Sequence, residues 1–346
     1  MRILILNYEY PPVGGGGGRL SEDLANEYIN SGHKVLIITS HFQKLPFLEM
    51  SESKTIVRIP SFRNSESSSS LFQMAMFVLF GLVIVPLVDI IFKSEAAHIH
   101  FILPTGVLAL VYKYILRKRF LITAHGGDIP SHQPQDTSIL YSFLKPLAAL
   151  IIRNSIKTIC ISQDLLKKAE KDFPDNINKF SLIENGTGIK PYKERKVKGR
   201  KKFLFVGRLS KEKGISDIIK ALSELKEQKY DFYIAGEGSE GESIKKMIIE
   251  NELTNRVVMC GWLGNSELDE LYKNCDFLLM NSAFEGLSIA AITALSRGLP
   301  ILSSDCAGMK DIVTDEVNGF LHSNSKEMKA NIIKAIEMNQ SSYQKM

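Results

Sequence analysis

Short apolar runs alternate with helix-length amphipathic segments along almost the whole chain, and this alternation restricts the fold more than any other feature. An apolar run that is too short for a helix and is bounded by turn residues predicts a strand buried on both faces. With helices between successive strands, the sequence predicts an α/β fold built from doubly wound, Rossmann-like parallel sheets. The predicted strands are residues 2–6, 34–39, 55–59, 98–102, 120–124, 157–161, 180–184, 203–206, 231–235, 256–260, 276–280 and 299–303.

The alternation lapses at residues 186–202, where glycine, proline, lysine and arginine predominate. Such a segment is typical of a linker between domains. We therefore predict an N-terminal domain at residues 1–186, a basic linker at 187–201 and a C-terminal domain at 202–346. Because ligands of open parallel sheets bind at the carboxyl ends of the strands, we expect the two domains to face a central cleft that holds the ligand.

Five consecutive glycines, Gly14 to Gly18, follow the first predicted strand and precede a helical pattern. A flexible turn is one interpretation, and a loop whose backbone N–H groups approach a phosphate is the other. The strand and helix on either side favour the second. The dinucleotide pattern G-x-G-x-x-G fails in every register, and no Gly-Lys-Ser/Thr ends the run. The sequence therefore excludes the usual dehydrogenase and nucleoside-triphosphate loops and predicts contact with another phosphate.

The charge balance is mildly basic, with 43 Lys and Arg against 38 Asp and Glu, which is too weak to predict nucleic-acid binding. The basic residues are concentrated at residues 190–202 and at Lys113, Arg117, Lys118 and Arg119. A solvated linker or helix face accounts for such clusters, and attraction to anionic lipid head groups is the alternative.

Four separate cysteines without a C-x-x-C pair predict reduced residues of a cytoplasmic protein. They are Cys160, Cys260, Cys275 and Cys306. Met1 leads directly into the first predicted strand, so we expect no signal peptide. His98 and His100 alternate on one predicted strand, and two histidines without a third ligand indicate a structural role more than a metal site.

The most apolar segment is residues 71–93, which predicts a helix. Its uninterrupted apolar part is shorter than the ~20 residues that span a bilayer, and Pro86 and Asp89 interrupt its end. A packed or partly exposed helix, an in-plane membrane contact and a true span all remain open. Together with the basic clusters, the segment predicts a protein at the inner face of the cell membrane.

In the second half, Arg208 and Lys213 follow a predicted strand, where two cations suit a diphosphate and solvated loop charges are the alternative. Glu285 follows another strand, directly before Gly286, Leu287, Ser288 and a predicted helix that extends to Arg297. The carboxylate could cap that helix, or it could accept hydrogen bonds from sugar hydroxyls. In the second case the N–H groups of residues 286–288 would be free for phosphate oxygens.

Several short segments follow one another along the chain. In order they are the glycine run followed by GHKVLIIT, then HIHF, TAHGGD, ENG, VGRLSKEKG, AGEGSE, VVMCGWL and FEGLSIAAITALSRGLPIL. Their order and spacing resemble family 4 of the retaining glycosyltransferases, which have the GT-B fold, over nearly the whole chain. The resemblance implies transfer of a sugar from a UDP or GDP type nucleotide sugar with retention at the anomeric carbon. It implies neither a cofactor nor a metal, and the sequence has no D-x-D motif.

The resemblance also implies roles for individual residues. Arg208 and Lys213 would neutralise the donor diphosphate, Glu285 would contact the donor sugar, and His125 would lie near the sugar and phosphate; these four are the predicted catalytic residues. Glycines of the run would approach the phosphates or the acceptor. The predicted donor-binding residues are Gly15, Gly16, Gly17, Arg208, Lys213, Glu285, Gly286, Leu287, Ser288 and Thr293.

Two features depart from the family pattern. The second acid of the E-x7-E motif, which binds ribose hydroxyls in the family, is replaced by Thr293, and the chain ends soon after a helix predicted at residues 326–338. The sequence thus predicts a transferase that acts on a glycan or polyprenyl-linked acceptor in bacterial-type surface polysaccharide or glycoconjugate synthesis. A nucleotide-sugar epimerase of the same fold and a catalytically weakened sugar-nucleotide-binding protein remain alternatives.

Overall fold

The structure, a computed structural model, describes residues 1–66, 69–132, 138–188 and 199–346. The chain divides into two compact units, Met1–Asn185 and Gly186–Met346. Most of the predicted linker, residues 189–198, lies outside the described residues.

The first unit contains one eight-stranded sheet in the order β3-β4-β2-β1-β5-β6-β7-β8. Its neighbouring strands are parallel except for β3, which pairs antiparallel with β4 at one edge. Its strands are β1 (Arg2–Leu6), β2 (Lys34–Phe42), β3 (Leu48–Met50), β4 (Lys54–Arg63), β5 (Ala96–His100), β6 (Arg119–Ala124), β7 (Thr158–Cys160) and β8 (Phe180–Leu182). Its α-helices are α1 (Gly16–Asn30), α2 (Leu71–Phe92), α3 (Gly106–Tyr114), α4 (Ser138–Asn154) and α5 (Gln163–Asp172).

The second unit contains a six-stranded, fully parallel sheet in the order β11-β10-β9-β12-β13-β14. Its strands are β9 (Lys201–Val206), β10 (Tyr230–Ala235), β11 (Val257–Gly261), β12 (Phe277–Met280), β13 (Ile301–Ser304) and β14 (Gly319–His322). Its α-helices are α6 (Ile215–Ser223), α7 (Gly241–Glu250), α8 (Asn265–Asn274), α9 (Ile289–Leu295), α10 (Ala307–Lys310), α11 (Ser325–Glu337) and α12 (Gln340–Lys345).

The central strands of both sheets are buried along most of their length. Leu4, Ile5 and Leu6 of β1 are fully buried, as are Phe203, Leu204 and Phe205 of β9. Both faces of a parallel sheet are covered by its crossover helices, which explains why these strands lack the alternation of half-exposed strands. In each unit the strand order reverses beside the first strand, between β1 and β5 and between β9 and β12. Loops at such switch points form the ligand sites of open α/β sheets.

The prediction of two doubly wound parallel sheets is confirmed, and each predicted strand is present. Two short edge strands, β3 and β14, were not predicted. The glycine run also differs from the prediction of a loop: Gly15 is the N-cap of α1, and Gly16, Gly17 and Gly18 form its first turn. Glycine is a poor helix former because it loses much backbone entropy on ordering. The Asn7 amide and the Ser21 hydroxyl donate to the carbonyls of Gly17 and Gly18 and so help to hold this turn.

Candidate functional site

Lys213 and Glu285 form an ion pair at the carboxyl edge of the second sheet. The Lys213 Nζ lies 2.7 Å from Glu285 Oε1, and the two side chains are only 16% and 10% exposed. The Ser282 hydroxyl donates to the same carboxylate oxygen at 2.7 Å. A carboxylate with two donors on one oxygen keeps its other oxygen available to accept hydrogen bonds from a ligand.

Close backbone packing fixes the two loops that carry this pair. The Ala283 N–H donates to the Glu212 carbonyl at 2.8 Å. Gly214 has φ 61°, and a Cβ there would clash with the Asn281 carbonyl oxygen; a Cβ on Gly308 would clash with the Glu285 carbonyl oxygen. Glycine is therefore required at both positions, because each lets another loop approach within contact distance.

Glu285 does not cap the helix that follows it. The N-cap of α9 is Ser288, whose hydroxyl accepts from the Ala291 N–H, and the helix ends at Leu295, short of the predicted Arg297. Among the described residues, the N–H groups of Gly286, Leu287 and Ser288 find no hydrogen-bond acceptor. The interpretation of Glu285 as a helix cap is therefore excluded, and three donors remain beside its carboxylate.

Arg208 lies on the same loop as Lys213, after β9, and its side chain is exposed. Burial raises the pKa of Glu212, but local hydrogen bonds and the positive charges of Arg208 and Lys213 outweigh burial, so this pKa lies below its ordinary value. The structure thus brings the two predicted cations together around one short loop. In the described parts of the chain, the Arg208 guanidinium forms no ion pair, which leaves it available to an anion.

Thr293 lies in α9 and is partly buried. Its carbonyl accepts from the Arg297 guanidinium at 3.1 Å, and that guanidinium also pairs with Asp269. A longer acidic side chain at position 293 would lie one helical turn from Arg297.

In the first unit, His125 follows β6 and belongs to a row of three stacked histidines. The ring of His98 stacks on that of His100 at 4.6 Å between centroids, and His100 stacks on His125 at 5.2 Å. The His100 Nδ1 lies 3.0 Å from His125 Nε2. Burial lowers the pKa of His98 and of His125 to about 3, and it lowers that of His100 well below the ordinary value, so all three rings are neutral at pH 7.

The contact between His100 and His125 defines which nitrogen of His125 carries its proton. The His100 Nε2 is buried and has no partner among the described residues. A buried N–H without an acceptor is rarer than a buried acceptor without a donor. We therefore infer that His100 keeps its proton on Nδ1 and donates it to His125 Nε2, so that His125 carries its own proton on Nδ1 as a hydrogen-bond donor.

Asp128 holds the loop that carries His125, and sequence reasoning missed it. Its Oδ1 accepts from the N–H groups of His125 and Gly126, and its Oδ2 accepts from the Ile102 N–H at 2.8 Å. Burial raises the pKa of Asp128 to about 6 although these backbone donors lower it. An aspartate soon after a Gly-Gly turn is the sequence signal that could have indicated this role.

The first turn of α1 lies against the His125 loop. A Cβ on Gly17 would lie 2.8 Å from Phe101 Cζ and 3.5 Å from His125 Cγ, whereas a Cβ on Gly15 would meet nothing within 4 Å. The Gly15 N–H donates to Glu9 Oε2 at 3.1 Å. Two of the predicted glycines therefore differ: Gly17 packs beside His125, and Gly15 borders open space with its N–H already bonded to a carboxylate.

His98 and His100 do not belong to a metal-binding group: over the ranges that the structure describes, no three His, Cys, Asp or Glu residues come together as metal ligands would. His98 is instead bonded at both nitrogens, to the Tyr28 hydroxyl at 3.0 Å and to the Thr123 hydroxyl at 2.8 Å. These contacts fit the structural role that the sequence indicates for His98.

The histidine row predicts acid destabilisation. The folded pKa of His98 and His125, about 3, lies below the ordinary histidine value of 6.5. Unfolding therefore takes up protons at intermediate pH, and the stabilisation by these rings, complete above pH 6.5, is lost as the pH falls. Asp128 acts in the opposite direction, because its folded pKa of about 6 lies above the ordinary aspartate value of 3.8. Three histidines outweigh one aspartate, so urea unfolding should give a lower free energy of unfolding at pH 4.5 than at pH 6.5.

His98→Gln should flatten this pH dependence by about one proton, because it removes one of the three rings. His33→Gln, outside the row, is the matched control and should keep the wild-type slope. An unchanged slope in His98→Gln would contradict the assignment of a neutral His98.

Comparison with known proteins assigns each of the two units to a family model. The family model for glycosyl transferases group 1 matches residues 189–346. The model for Glycosyltransferase Family 4 matches residues 14–190, just over half of the chain. The chain belongs to glycosyltransferase family 4. A relative, the uncharacterized glycosyltransferase MJ1607 of Methanocaldococcus jannaschii, is 26% identical over 92% of this chain and 84% of its own length.

Solved structures show the fold of this family-4 chain. Sucrose-phosphate synthase from Thermosynechococcus elongatus aligns with a TM-score of 0.81 at 17% identity, over 100% of this chain and 92% of that one. Anabaena HepE, solved in complex with UDP-glucose, aligns with a TM-score of 0.76 at 20% identity, over 99% and 92%. The fold of the family-4 chain is therefore GT-B, with two parallel-sheet α/β domains, as the sequence predicted.

Proposed function

We propose that this family-4 glycosyltransferase moves a sugar from a nucleoside-diphosphate sugar to a glycan or polyprenyl-linked acceptor, with retention at the anomeric carbon and without a metal ion. The observation that carries the proposal is the Lys213–Glu285 pair beside the N–H groups of residues 286–288. This edge of the second sheet offers a cation and backbone donors for phosphate oxygens and a carboxylate for sugar hydroxyls.

In this proposal the two cations assist departure of the nucleoside diphosphate. Negative charge develops on the leaving phosphate as the glycosidic bond breaks, and fixed positive groups stabilise it without reorganisation. Arg208, exposed and unpaired within the described residues, moves onto the diphosphate, whereas Lys213 is already held by Glu285. Glu285 accepts a hydrogen bond from the donor sugar with its second carboxylate oxygen and so orients the reacting face.

His125 contributes as a neutral donor in the same proposal. With its pKa at about 3 the ring does not gain a proton at physiological pH. Its Nδ1–H can bond a sugar or phosphate oxygen, and the contact of Nε2 with His100 holds the ring in place. The ring therefore acts through hydrogen bonding and not as a general base.

The donor class and the acceptor class rest on different features. HepE has been solved with UDP-glucose, which supports a nucleotide-sugar donor for this chain also. The exposed apolar helix α2 and the basic residues near its end support an acceptor that is handled at a membrane, as in bacterial-type surface polysaccharide or glycoconjugate synthesis. We propose the inner face of the cytoplasmic membrane as the place of action.

A donor screen followed by a transfer assay tests this function. Thermal unfolding with UDP, GDP, ADP and CMP sugars should show stabilisation by one or two nucleoside-diphosphate sugars, because only the folded chain binds them. With polyprenyl-phosphate-linked acceptors, the nucleotide sugar that stabilises the chain in this screen should give a product whose anomeric configuration matches that of the donor. Interconversion of the donor sugar without an acceptor would identify an epimerase, and donor binding without turnover would identify a binding protein.

Thr293→Glu tests the position of α9 against the nucleotide. If the family's ribose contact is missing here, a carboxylate at position 293 should tighten nucleotide binding about tenfold, since one hydrogen bond to a charged group contributes ~1.5 to 3 kcal/mol. Isothermal titration with the free nucleoside diphosphate measures the change. Thr293→Gln, of equal length and neutral, is the control and should gain less. No gain in Thr293→Glu, or in Thr293→Glu/Arg297→Gln where the new carboxylate has no guanidinium one turn away, would mean that α9 does not face the ribose.

A further inference from the structure

Helix α2 buries polar side chains and exposes apolar ones, the reverse of a surface helix in a water-soluble domain. Its buried residues follow one strict i, i+4 stripe that includes two polar side chains, Gln73 at 7% exposure and Asp89 at 0%. The rest of the helix surface is apolar, and only 22% of its most apolar 18-residue window is buried. In water the polar side chains of a surface helix face outward, so this helix has the opposite distribution.

The buried stripe attaches α2 to the first unit along its whole length. Near the N-terminal end, the Gln73 amide donates to the Phe62 carbonyl at 3.1 Å. In the middle, Gly81 lies so close to Leu108 of α3 that a Cβ would meet Leu108 Cδ1 at 2.6 Å. Near the C-terminal end, Asp89 pairs with Lys118. By length and composition α2 could cross a bilayer, but these contacts hold one face of it along the surface of the unit.

The opposite face of α2 is large, apolar and exposed. Its exposed side chains include Leu79, Leu82, Val83, Leu87, Ile90 and Ile91, of which Ile91 is 83% exposed. Tyr114 and Ile115, at the end of the neighbouring α3, are exposed as well. Monomeric soluble proteins rarely expose contiguous apolar surface on this scale, and such surface marks an interaction site.

Basic residues lie beside the C-terminal end of this face. Lys93 is the residue directly after α2, and Lys118 touches Asp89 in its last turn. Arg117 and Arg119 flank Lys118 and are exposed. One exposed acid, Glu95, lies nearby and accepts from the Arg2 backbone N–H. The charge next to the apolar face is therefore net positive, which complements anionic lipid head groups.

We propose that the exposed face of α2, with Tyr114 and Ile115, inserts in the plane of a bilayer leaflet and that Lys93, Arg117 and Arg119 contact anionic head groups. An amphipathic surface of this kind lies at the boundary between head groups and acyl chains. The polar stripe stays on the protein side and the apolar face enters the lipid. This attachment rests on the membrane location in the proposed function and names the surface and the lipid that provide it. It is measured without donor or acceptor, so its failure would leave the transfer reaction itself open to the separate assay.

Vesicle flotation tests the surface with the full chain. Wild type should float with phosphatidylglycerol-containing vesicles. The variant Leu79→Ser/Leu82→Ser/Leu87→Ser should lose at least about tenfold in partitioning, because each leucine contributes apolar area that leaves water on insertion. The matched control Ile177→Ser/Ile249→Ser/Val317→Ser changes equally exposed apolar residues elsewhere, 57% exposed in the case of Ile249, and should float as wild type does.

A second variant tests the contribution of the basic residues to vesicle binding. Arg117→Gln/Arg119→Gln should weaken flotation on anionic vesicles about thirtyfold, which corresponds to about 2 kcal/mol for two charges near such a surface. The same variant should bind phosphatidylcholine vesicles as wild type does. Added salt should reduce the difference between the two lipids. Matching thermal unfolding curves for all variants would show that the changes do not act through folding.

Three outcomes would overturn the proposal. Wild type could remain in the soluble fraction, the leucine variant could float as well as its control, or sedimentation could show a dimer that the leucine variant dissociates while no form binds vesicles. The last result would assign the face to a second copy of this chain. As a measure of depth, Ile90→Trp in a Trp262→Phe background should be quenched by brominated acyl chains, and absence of quenching would also contradict insertion.

Discussion

Lys213→Ala should lower kcat/KM for transfer at least about a hundredfold, the largest effect that we expect from any single side chain. Its ammonium lies 2.7 Å from Glu285 and is mostly buried, so a change at Lys213 removes a fixed positive charge from the edge where we place the donor diphosphate. Removal of one preorganised donor to a developing oxyanion typically costs 10² to 10³ in rate. Steady-state kinetics with the nucleotide sugar identified in the thermal unfolding screen measures the effect.

Two controls separate chemistry from folding. Lys211→Ala removes an exposed cation from the same loop and should stay near wild-type activity. Lys213→Ala also leaves the Glu285 carboxylate without its counter-ion, which should cost about 1 to 3 kcal/mol of stability. Adding Glu285→Gln should recover much of that stability, since the unpaired charge is gone, while activity stays low. If the double variant recovers activity as well, the pair is structural and the proposed site is wrong.

The fold was largely predictable because its strands are buried on both faces and carry unbroken apolar runs. Each predicted strand is present, with ends that shift by at most a few residues. The two missed strands lie at sheet edges. The three residues of β3 are exposed or half-buried, and β14 begins at a glycine. Each has only two consecutive apolar residues, Phe47 and Leu48 at β3 and Phe320 and Leu321 in β14, which is too short an apolar run for a pattern to distinguish a strand from a loop.

The candidate site was predictable in part. Arg208, Lys213 and Glu285 were found from their positions after strands, and the structure brings Lys213 and Glu285 into direct contact. The helix bounds and the role of Ser288 as N-cap were not resolved by the pattern, because Ser288 and Glu285 both precede the helix and both residue types favour that position.

Other features of the candidate residues in each unit depend on contacts between distant segments of that unit, which spacing does not reveal. The requirement for glycine at position 308 comes from the Glu285 carbonyl, 23 residues earlier in the chain. Asp128 bonds Ile102 across two strand-end loops, and the His100–His125 contact likewise joins two strands. The last two contacts need the register of the first sheet, which brings His100 opposite Thr123.

Gly17→Val should abolish most of the transfer activity while Gly15→Ala should leave the fold intact, and the pair tests what the glycine run does. A valine at position 17 places its Cβ 2.8 Å from Phe101 Cζ and 3.5 Å from His125 Cγ, and its γ-methyl groups add to the overlap. Phe101 contacts Tyr8 and His125 with ring centroids at 5.0 and 4.5 Å, so it cannot move without displacing the His125 ring. Overpacking of this kind costs typically 1 to 3 kcal/mol.

Gly15→Ala, by contrast, meets no atom within 4 Å, so thermal unfolding should match wild type. Any loss of activity in this variant then reports a ligand that approaches the bare backbone. A rise in KM for the nucleotide sugar alone would assign the N-cap of α1 to the donor phosphates, and a rise for the acceptor alone would assign it to the acceptor. Wild-type kinetics for Gly15→Ala would mean that the run serves packing only: the Gly15 N–H already bonds the Glu9 carboxylate, and Gly17 makes room for Phe101 and His125.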